Sequence, residues 1–446
     1  MKLYPYQEET CKEALQVFLS GKPFSLLRGD VGVGKTVMAL EVARRLGSKY
    51  VGVIAPKITL TSWTKTAKAM GVHLGFCLNP EMLRTGRVKN IVTLNPLDKR
   101  VYEYRLPERD TLIIVDEIHR FGGMDTQSAY LLFGTKATEA RVLGLTGTLG
   151  ESPLRLRAIL SLCNLVPWKD FPRWAVEHGC FRNHDITGSP WQFVKGRRAM
   201  EIMTQIGRDL FPAHGTQLSV DDIPGYPECD VQARLYDMPD RLLSEVNKIY
   251  RALRDEIQKP EHAPNSLVEQ LRHRQQVQAI KVPLFVELTK ELLDEGKSVV
   301  SFFDFREPLE MYEQEIKKLG YQVSSIHGDT PTKERNRIMA EQARDNIQVI
   351  GAITAAGGIG INLGDVRGER PRVGLLNIPI DGITAHQACG RIHRATNKTK
   401  ALNIFVLLAG SPIEERIYSL LSGKLRNLAS IQGDDIRKTI LMKGDL

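Results

Sequence analysis

A glycine-rich loop near the amino terminus carries residue types that bind phosphate groups. Its sequence, Gly-Asp-Val-Gly-Val-Gly-Lys-Thr from Gly29 to Thr36, matches the complete pattern G-x-x-x-x-G-K-[ST]. In such a loop the backbone N–H groups surround phosphate oxygens, the lysine reaches the β- and γ-phosphates, and the final hydroxyl can hold Mg²⁺. A strand-like run precedes the loop and a helical pattern begins at Thr36, which disfavours a chance glycine-rich turn. We therefore predict an ATP-Mg²⁺ site with these contact residues: Gly29, Asp30, Gly32, Val33, Gly34, Lys35 and Thr36.

Two adjacent carboxylates follow a second apolar run, about eighty residues further along the chain. Leu112–Val115 leads directly into Asp116-Glu117-Ile118-His119, and ligands bind at the carboxyl ends of buried parallel strands. We expect Asp116 to hold Mg²⁺ through water and Glu117 to orient and deprotonate the attacking water. An acidic helix cap is the alternative, but the phosphate loop in the same alternating unit favours hydrolysis. His119 is expected to couple motifs rather than bind a metal.

The last third of the chain has no second phosphate loop, yet it carries cationic side chains that could assist the first one. The segment from Gln387 to Arg394 reads Gln-Ala-Cys-Gly-Arg-Ile-His-Arg, and the spacing predicts Arg391 and Arg394 on one helical face. An arginine supplied across a cleft can neutralise charge on the γ-phosphate, worth about 10³–10⁵ in rate. The alternative is a solvated basic helix. The catalytic candidates are Lys35, Glu117, Gln387, Arg391 and Arg394, and Gly360, in a glycine-rich run after a strand, could approach a phosphate.

Continuously apolar runs alternate with helical patterns in both the first and last thirds, as expected for strands covered on both faces. The predicted strands are Phe24–Leu27, Tyr50–Ala55, Asn90–Leu94, Thr111–Val115 and Arg141–Leu145, then Ser298–Phe303, Gln322–Ile326, Ile347–Ile353, Arg372–Leu376 and Leu402–Leu407. Such alternation predicts an α/β protein with two RecA-like lobes, each a doubly wound parallel sheet.

The middle of the chain differs, so we predict a mostly helical insertion between the lobes. Long helical patterns lie near Arg241–Lys259 and Ser266–Ile280, and Thr330 is predicted to cap a helix that starts at Pro331. The predicted domains are residues 1–160 (lobe 1, ATP-binding), 161–280 (insertion and linker), 281–425 (lobe 2) and 426–446 (tail).

Composition limits the class of protein. The 446 residues carry a formal charge of +9, which favours a polyanionic partner. The 6 cysteines form no C-x-x-C pair, which argues against a disulfide framework or zinc ribbon. With no signal-peptide layout and no membrane-spanning run, we expect a cytoplasmic protein of a bacterium or a phage-infected cell.

The ordered set of motifs resembles the superfamily 2 helicases and translocases over nearly the whole chain. The segments that carry the resemblance are Tyr4–Gln7, the phosphate loop, Ala55–Lys57, Asp116–His119, Thr146–Thr148, Ile326–Asp329, Gly357–Leu363 and Gln387–Arg394. A finer resemblance, to Swi/Snf-type ATPases and particularly small annealing-helicase-like members, rests on Trp63 after Ala55–Lys57, on Ala356–Leu363, on Arg391–Arg394 and on Ile413–Ile417 with Lys424.

The resemblance implies further roles. Gln7 would read the adenine edge, and Thr146 and Thr148 would couple hydrolysis to lobe movement. The nucleic-acid contacts it implies, along the phosphates of one strand, are Lys57, Thr93, His327 and Thr354. The middle helices would grip the duplex.

We therefore expect a monomeric ATP-dependent motor that moves along duplex or branched DNA and does not associate with a membrane. An RNA helicase is one alternative, and the motor of a restriction or nuclease complex is another. A nucleotide-gated clamp without hydrolysis is a third. The compact motif layout leads us to expect no chromatin-reading or zinc module, by analogy with bacterial or phage proteins of replication, repair or recombination.

Overall fold

The computed structural model describes residues 2–85, 87–107, 110–183, 191–257, 266–354, 361–379 and 381–434. The chain divides into two compact units. Within the described residues, unit 1 comprises 2–181, 193–224 and 427–434, and unit 2 comprises 182–183, 191–192 and the described part of 225–426. The residues predicted as an insertion are thus shared between the units, and a short segment near the carboxyl terminus belongs to unit 1.

The elements are numbered here in chain order. Through residue 218 they are α1 (Pro5–Leu19), β1 (Phe24–Gly29), α2 (Lys35–Arg45), β2 (Tyr50–Ile54), α3 (Leu60–Ala69), β3 (Leu74–Leu78), α4 (Pro80–Arg84), β4 (Val92–Leu94), β5 (Tyr102–Tyr104), β6 (Thr111–Val115), α5 (Gln127–Gly134), β7 (Arg141–Thr146), α6 (Arg157–Leu162), α7 (Phe171–Glu177), β8 (Cys180–Arg182), β9 (Trp191–Phe193), α8 (Arg197–Leu210) and β10 (Gly215–Leu218). They continue with β11 (Cys229–Tyr236), α9 (Asp240–Ile257), α10 (Ser266–Asp294), β12 (Ser298–Phe303), α11 (Arg306–Lys318), β13 (Val323–Ile326), α12 (Thr332–Ala343), β14 (Val349–Ile353), β15 (Arg372–Leu376), α13 (Gly382–Cys389), β16 (Ala401–Leu408) and α14 (Pro412–Gln432).

Unit 1 is built on a parallel sheet of six strands in the order β10-β1-β7-β6-β2-β3. Strands β1 and β6 are buried along their whole length, which explains their continuous apolar runs. Because β1, β7 and β6 are neighbours and parallel, the loops that follow them leave the same edge of the sheet. The phosphate loop, Thr146–Thr148 and Asp116–His119 are therefore brought together by topology.

One predicted strand of this sheet was wrong. Residues Val92–Leu94 form β4, which pairs antiparallel with β5 in a separate two-stranded sheet. Two strands of the sheet were not predicted: β3 at one edge and β10 at the other. The sequence of β10, Gly-Thr-Gln-Leu, has too few apolar residues to stand out as a strand.

Unit 2 also has a parallel sheet of six strands, in the order β11-β16-β15-β12-β14-β13. Its apolar core includes Phe285 of α10, Phe303 of β12 and Tyr312 of α11. The Phe303 ring packs at a tilted angle against each of the other two rings, with centroids 5.1 Å and 5.3 Å apart. Helix α10 continues through Pro283 well beyond the predicted end at Ile280.

The predicted cap of α12 was wrong by one residue. Pro331 is the capping residue and the helix starts at Thr332. The Thr330 hydroxyl instead accepts a hydrogen bond from the His327 N–H (3.0 Å), so it closes the turn before the helix. No helix in the described part of the chain has the length and apolar character that a membrane span requires.

Candidate nucleotide site

The loop between β1 and α2 has the geometry of a phosphate cradle. Gly32 and Gly34 adopt positive φ angles of 97° and 91°, a region that side chains rarely enter. A Cβ on Gly34 would also lie 2.4 Å from Nε2 of Gln7, so glycine is required there on two grounds. Lys35 folds back over the loop and its Nζ donates to the carbonyls of Gly29 (2.7 Å) and Asp30 (3.1 Å). The loop thus holds its ammonium group at the centre of the cradle.

Gln7 lies in α1 directly against this loop. Its Nε2 donates to the Val33 carbonyl (2.9 Å), and its Oε1 accepts from the Tyr4 N–H (3.1 Å). The side chain is buried, so both ends of the amide are positioned by backbone groups. The amide is next to the phosphate loop, as a role toward the base of the nucleotide requires.

Asp30 takes a different part in the loop from a direct phosphate contact. Its carboxylate accepts hydrogen bonds from the Arg28 guanidinium (2.8 Å) and from the N–H of Val220 (2.8 Å). The Asp30 backbone carbonyl, by contrast, accepts from Lys35. Only the backbone of Asp30 therefore faces the cradle, and its side chain fixes the loop to the rest of unit 1.

The carboxylates after β6 lie close enough to Lys35 to affect its ionisation. Burial lowers the pKa of Lys35, and the negative charges of Glu117 and Asp116 oppose that shift. Burial raises the pKa of Asp116 to about 6; the charge of Glu117 adds to this, while the Trp63 N–H and Lys35 oppose it. Asp116 is thus poised for a cation, since added positive charge favours its ionised form.

Glu117 has an unusual backbone conformation. Its φ of 53° and ψ of 49° place it in the left-handed region, which costs a non-glycine residue free energy. The short 3₁₀ helix Ile118–Phe121 begins directly after it. The left-handed turn therefore lies between Asp116, which follows the end of β6, and this short helix.

The residues present fit Mg²⁺ as a cation shared with a bound nucleotide. No group of three or more His, Cys, Asp or Glu side chains that could hold a metal exists among the described residues. Mg²⁺ is usually bound by one or two carboxylates plus phosphate oxygens and water, rather than by a full protein cage. Asp116 and the Thr36 hydroxyl are oxygen donors of this kind.

A hydrogen-bonded network connects the acidic motif to the loop after β7. His119 Nδ1 lies 3.0 Å from the Thr146 hydroxyl and 3.3 Å from Oε2 of Glu117. The Thr146 hydroxyl also accepts from the Thr148 N–H (3.0 Å) and donates to the Thr148 carbonyl. His119, Thr146 and Thr148 are all buried. His119 therefore connects the acidic motif to the Thr146–Thr148 loop by a hydrogen bond to Thr146 and lies beside the Glu117 carboxylate.

Sequence analysis missed one contact to the acidic site. The Trp63 indole N–H in α3 donates to Oδ2 of Asp116 (2.9 Å), and Trp63 is 1% exposed. Sequence analysis named Trp63 because it contributes to the resemblance to Swi/Snf-type ATPases. Its position in the sequence does not show which group the indole contacts. The indole fixes one oxygen of Asp116, which leaves the other for the cation or its water. Lys57 lies in the short 3₁₀ helix Lys57–Thr59 directly before α3.

We predict that Trp63→Phe raises the Mg²⁺ concentration needed for half-maximal ATP hydrolysis by roughly tenfold. Phenylalanine keeps the apolar ring but removes the donor that orients Asp116, and loss of such a partner typically costs 10–100-fold. A Mg²⁺ titration of the steady-state rate measures the effect. Trp168→Phe is the matched control, because Trp168 stacks on Phe133 (4.4 Å) and contacts no residue of the acidic site in the described part of the chain. Equal Mg²⁺ requirements in the two variants would contradict the assignment.

In unit 2 the predicted helical face of Arg391 and Arg394 was wrong. Helix α13 ends at Cys389, with Gly390 as its cap, so both arginines lie beyond it. Glycine favours such an end because it stabilises a helix poorly. The two guanidinium groups still converge, because both approach the Ile361 carbonyl: Nη1 of Arg391 at 3.5 Å and Nη2 of Arg394 at 2.5 Å. Burial lowers the pKa of Arg394 to about 10, so it remains cationic at neutral pH. Gln387 lies half-buried in α13, and Gly360 lies outside the described residues.

The residues implied in nucleic-acid contact differ in exposure. Lys57 is exposed, and Thr93 is half-buried in β4 opposite Glu103. Thr354 is 4% exposed and its hydroxyl donates to the Phe303 carbonyl (3.0 Å). The His327 carbonyl accepts from the Arg335 guanidinium (2.7 Å), which fixes the turn after β13.

Two family models match the chain. Residues 1–151 match the family described as the Type III restriction enzyme, res subunit. Residues 282–396 match the helicase conserved C-terminal domain. The first match contains the phosphate loop and Asp116–His119, and the second contains Arg391 and Arg394.

Individual proteins resemble the chain over different lengths. A protein of Acanthamoeba polyphaga mimivirus that carries the name of an ATP-dependent RNA helicase is 26% identical over 98% of this chain and 84% of its own length. The SNF2 domain-containing protein ENL1 of Oryza sativa is 28% identical over 31% of this chain, which spans 14% of that protein. Among solved structures, Saccharomyces cerevisiae Dbp5 bound to RNA and ADP BeF3 covers 96% of this chain and 92% of its own, with a TM-score of 0.52 and 10% identity. The last likeness concerns the fold.

Proposed function

Since this chain belongs to the superfamily 2 helicases and translocases, we propose that it is a DNA-dependent ATPase that moves along duplex or branched DNA. ATP hydrolysis and nucleic-acid binding are the properties that helicase domains share. The choice of DNA, the Swi/Snf-type character and the movement on duplex are the proposed parts.

One observation carries the proposal: the strand order brings Lys35, Asp116 and Glu117 to the shared carboxyl edge of β1 and β6, where both carboxylates lie near enough to Lys35 to oppose the lowering of its pKa by burial. A cation for phosphate, a carboxylate for metal and a carboxylate for water are the groups that phosphoryl transfer to water needs. A site that only bound nucleotide would have no use for Glu117, whose strained backbone is maintained at a cost.

The roles of the chain's own groups follow from this geometry. The phosphate loop binds the β- and γ-phosphates, and the Lys35 ammonium exchanges its two carbonyl acceptors for phosphate oxygens. Asp116 and Thr36 would hold Mg²⁺, which when bound neutralises phosphate charge. Glu117 accepts the proton of the attacking water, and His119 connects that carboxylate to Thr146.

The second family-model region would supply the remaining positive charge. We assign Arg391 and Arg394 to charge that develops on the γ-phosphate, because both guanidinium groups approach the Ile361 carbonyl and Arg394, with a pKa lowered by burial to about 10, remains cationic at neutral pH. Lys57, Thr93, His327 and Thr354 are proposed to lie along the phosphates of one nucleic-acid strand. Phosphate contacts are independent of sequence, as movement along the strand requires.

Two features support DNA over RNA. The Swi/Snf-type segments resemble a family that generally moves on DNA duplexes, and one local relative is named for its SNF2 domain. The formal charge of +9 supports a polyanionic partner of either kind. The name of the mimivirus relative makes an RNA helicase the second candidate.

We predict that duplex DNA stimulates ATP hydrolysis several-fold and more strongly than RNA of the same sequence and length. Phosphate release would be measured with blunt duplex, forked DNA, single-stranded DNA, single-stranded RNA and duplex RNA at one fixed, low salt concentration, because affinity falls steeply with salt. Glu117→Gln protein supplies the background rate.

Each other outcome contradicts the proposal in a different way. Stimulation by RNA alone would replace it with an RNA helicase. If none of the nucleic acids changed the rate of ATP hydrolysis, the protein would be an ATPase but not a nucleic-acid motor.

A further inference from the structure

A segment near the carboxyl terminus contacts the loops at the carboxyl edge of the unit 1 sheet, where the candidate nucleotide site lies. Residues Asn427–Asp434 include the end of α14 and belong to unit 1, about 400 residues from the phosphate loop in sequence. Leu428, Ala429 and Ile431 are each at most 2% exposed. The Ile431 carbonyl lies so close to Gly207 in α8 that a Cβ there would be 2.4 Å from it. The segment is therefore anchored by close packing rather than by its polar contacts alone.

The first polar contact reaches the phosphate loop. Oδ2 of Asp434 accepts a hydrogen bond from Nη2 of Arg28 (2.6 Å), and the same nitrogen donates to Oδ1 of Asp30 (2.8 Å). The Arg28 side chain is 1% exposed. Since Asp30 lies inside the loop and its carbonyl accepts from Lys35, Asp434 is two hydrogen bonds from the cradle.

The second polar contact reaches the loop after β7. Nε2 of Gln432 donates to the Gly147 carbonyl (3.1 Å), in a buried hydrogen bond. Gly147 is between Thr146 and Thr148, and a Cβ on it would lie 3.7 Å from Nζ of Lys35. Gln432 thus fixes the backbone of the loop that His119 connects to Glu117.

We propose that Asn427–Asp434 is a positioning element of the ATP site, in which Asp434 sets the phosphate loop through Arg28 and Gln432 sets the Thr146–Thr148 loop through Gly147. The proposal rests on the hydrolytic function proposed above. Neither residue touches the nucleotide site itself; each acts through a group that does.

The two contacts predict different kinetic effects. Loss of Asp434 loosens the loop that cradles phosphates, so it raises the KM for ATP and leaves kcat little changed. Loss of Gln432 loosens the loop linked to Glu117, so it lowers kcat and leaves the KM little changed. Each effect is expected to be roughly fivefold, the scale of one net hydrogen bond. A segment that only stabilised the fold would not separate the two parameters.

Asp434 also offers a conservative variant. One guanidinium faces two carboxylates, and burial raises the pKa of Asp434 to about 7, with Arg28 opposing and the charges of Asp30 and Asp221 adding to the shift. The neutral side chain is therefore well populated at pH 7. Asparagine has the same shape and can accept the Arg28 hydrogen bond without charge, so it should preserve the contact.

The experiment compares full-length Asp434→Ala, Asp434→Asn and Gln432→Leu with wild type in steady-state ATP hydrolysis at pH 7. Glu177→Gln is the matched control, because it removes one carboxylate from an exposed ion pair with Arg173 in unit 1. Thermal midpoints with and without ADP confirm that each variant is folded. We expect a raised KM for Asp434→Ala, a lowered kcat for Gln432→Leu, and values within about twofold of wild type for Asp434→Asn and the control.

Three results would overturn the proposal: wild-type kinetics in both Asp434→Ala and Gln432→Leu, kinetic losses that follow the thermal midpoint rather than the contact removed, or an Asp434→Asn variant as impaired as Asp434→Ala. Failure of the underlying function looks different, because wild type itself would then release no phosphate in the same assay.

Discussion

Replacing Glu117 with glutamine is expected to lower the kcat of ATP hydrolysis by roughly 10²–10⁴-fold, the range of general-base catalysis. The amide keeps the shape of the side chain but cannot take a proton from water. The backbone cost of the left-handed φ of 53° is equal for both residues, so the turn is retained. ATP binding should stay within a few-fold of wild type, because the phosphate loop and Lys35 are untouched.

Single-turnover hydrolysis and equilibrium binding of a fluorescent ATP analogue would separate these two effects. Glu139→Gln is the control, since it makes the same change at an exposed position of unit 1. If Glu117→Gln turned over ATP at the wild-type rate, another group would have to activate the water. If it lost nucleotide binding as well, Glu117 would be part of the binding site rather than the base.

The conformation of the loops at the candidate nucleotide site could be predicted from sequence because each motif is local. The conformation of Gly29–Thr36 follows from its own residues, because Gly32 and Gly34 permit positive φ angles. The apolar run before them predicts strand β1. The same holds for Asp116, which follows a wholly buried strand. A parallel sheet in which only β7 lies between these two strands then brings the loops to one edge.

Contacts between distant parts of the chain could not be predicted in this way. Trp63 and Asp116 are 53 residues apart, and Gln432 and Gly147 are 285 apart, so no periodicity connects them. The strand β10 was missed because an edge strand of four residues carries little apolar pattern. The end of α13 before Arg391 depends on one glycine against a helical spacing that otherwise continues.

The side chain of Asp30 illustrates the same limit within the phosphate loop itself. Its place in the motif predicts a nucleotide contact, but the carboxylate turns to Arg28 and Val220, which lie on β1 and directly after β10. Those partners exist only once the sheet is assembled. Motif position therefore predicts where the backbone lies, while tertiary packing decides where the side chain points.

Lys35→Ala is expected to lower kcat/KM for ATP by roughly 10²–10³-fold, the scale of removing one preorganised charge donor from a reacting group. In the wild-type protein, burial disfavours the charged form of Lys35, and the negative charges of Glu117 and Asp116 stabilise that form. Alanine leaves the two carboxylates without that cation and should raise the pKa of Asp116 further, so both phosphate and Mg²⁺ binding weaken. Lys35→Arg should not restore the rate, because a planar guanidinium cannot take the place of a compact ammonium between the Gly29 and Asp30 carbonyls.

Lys49→Ala, which removes a cation from an exposed pair with Asp110, is the control and should hydrolyse ATP as wild type does. Hydrolysis by Lys35→Ala within threefold of wild type would place the phosphate site elsewhere, since loss of a buried ammonium group that contacts the phosphates should lower the rate far more than threefold.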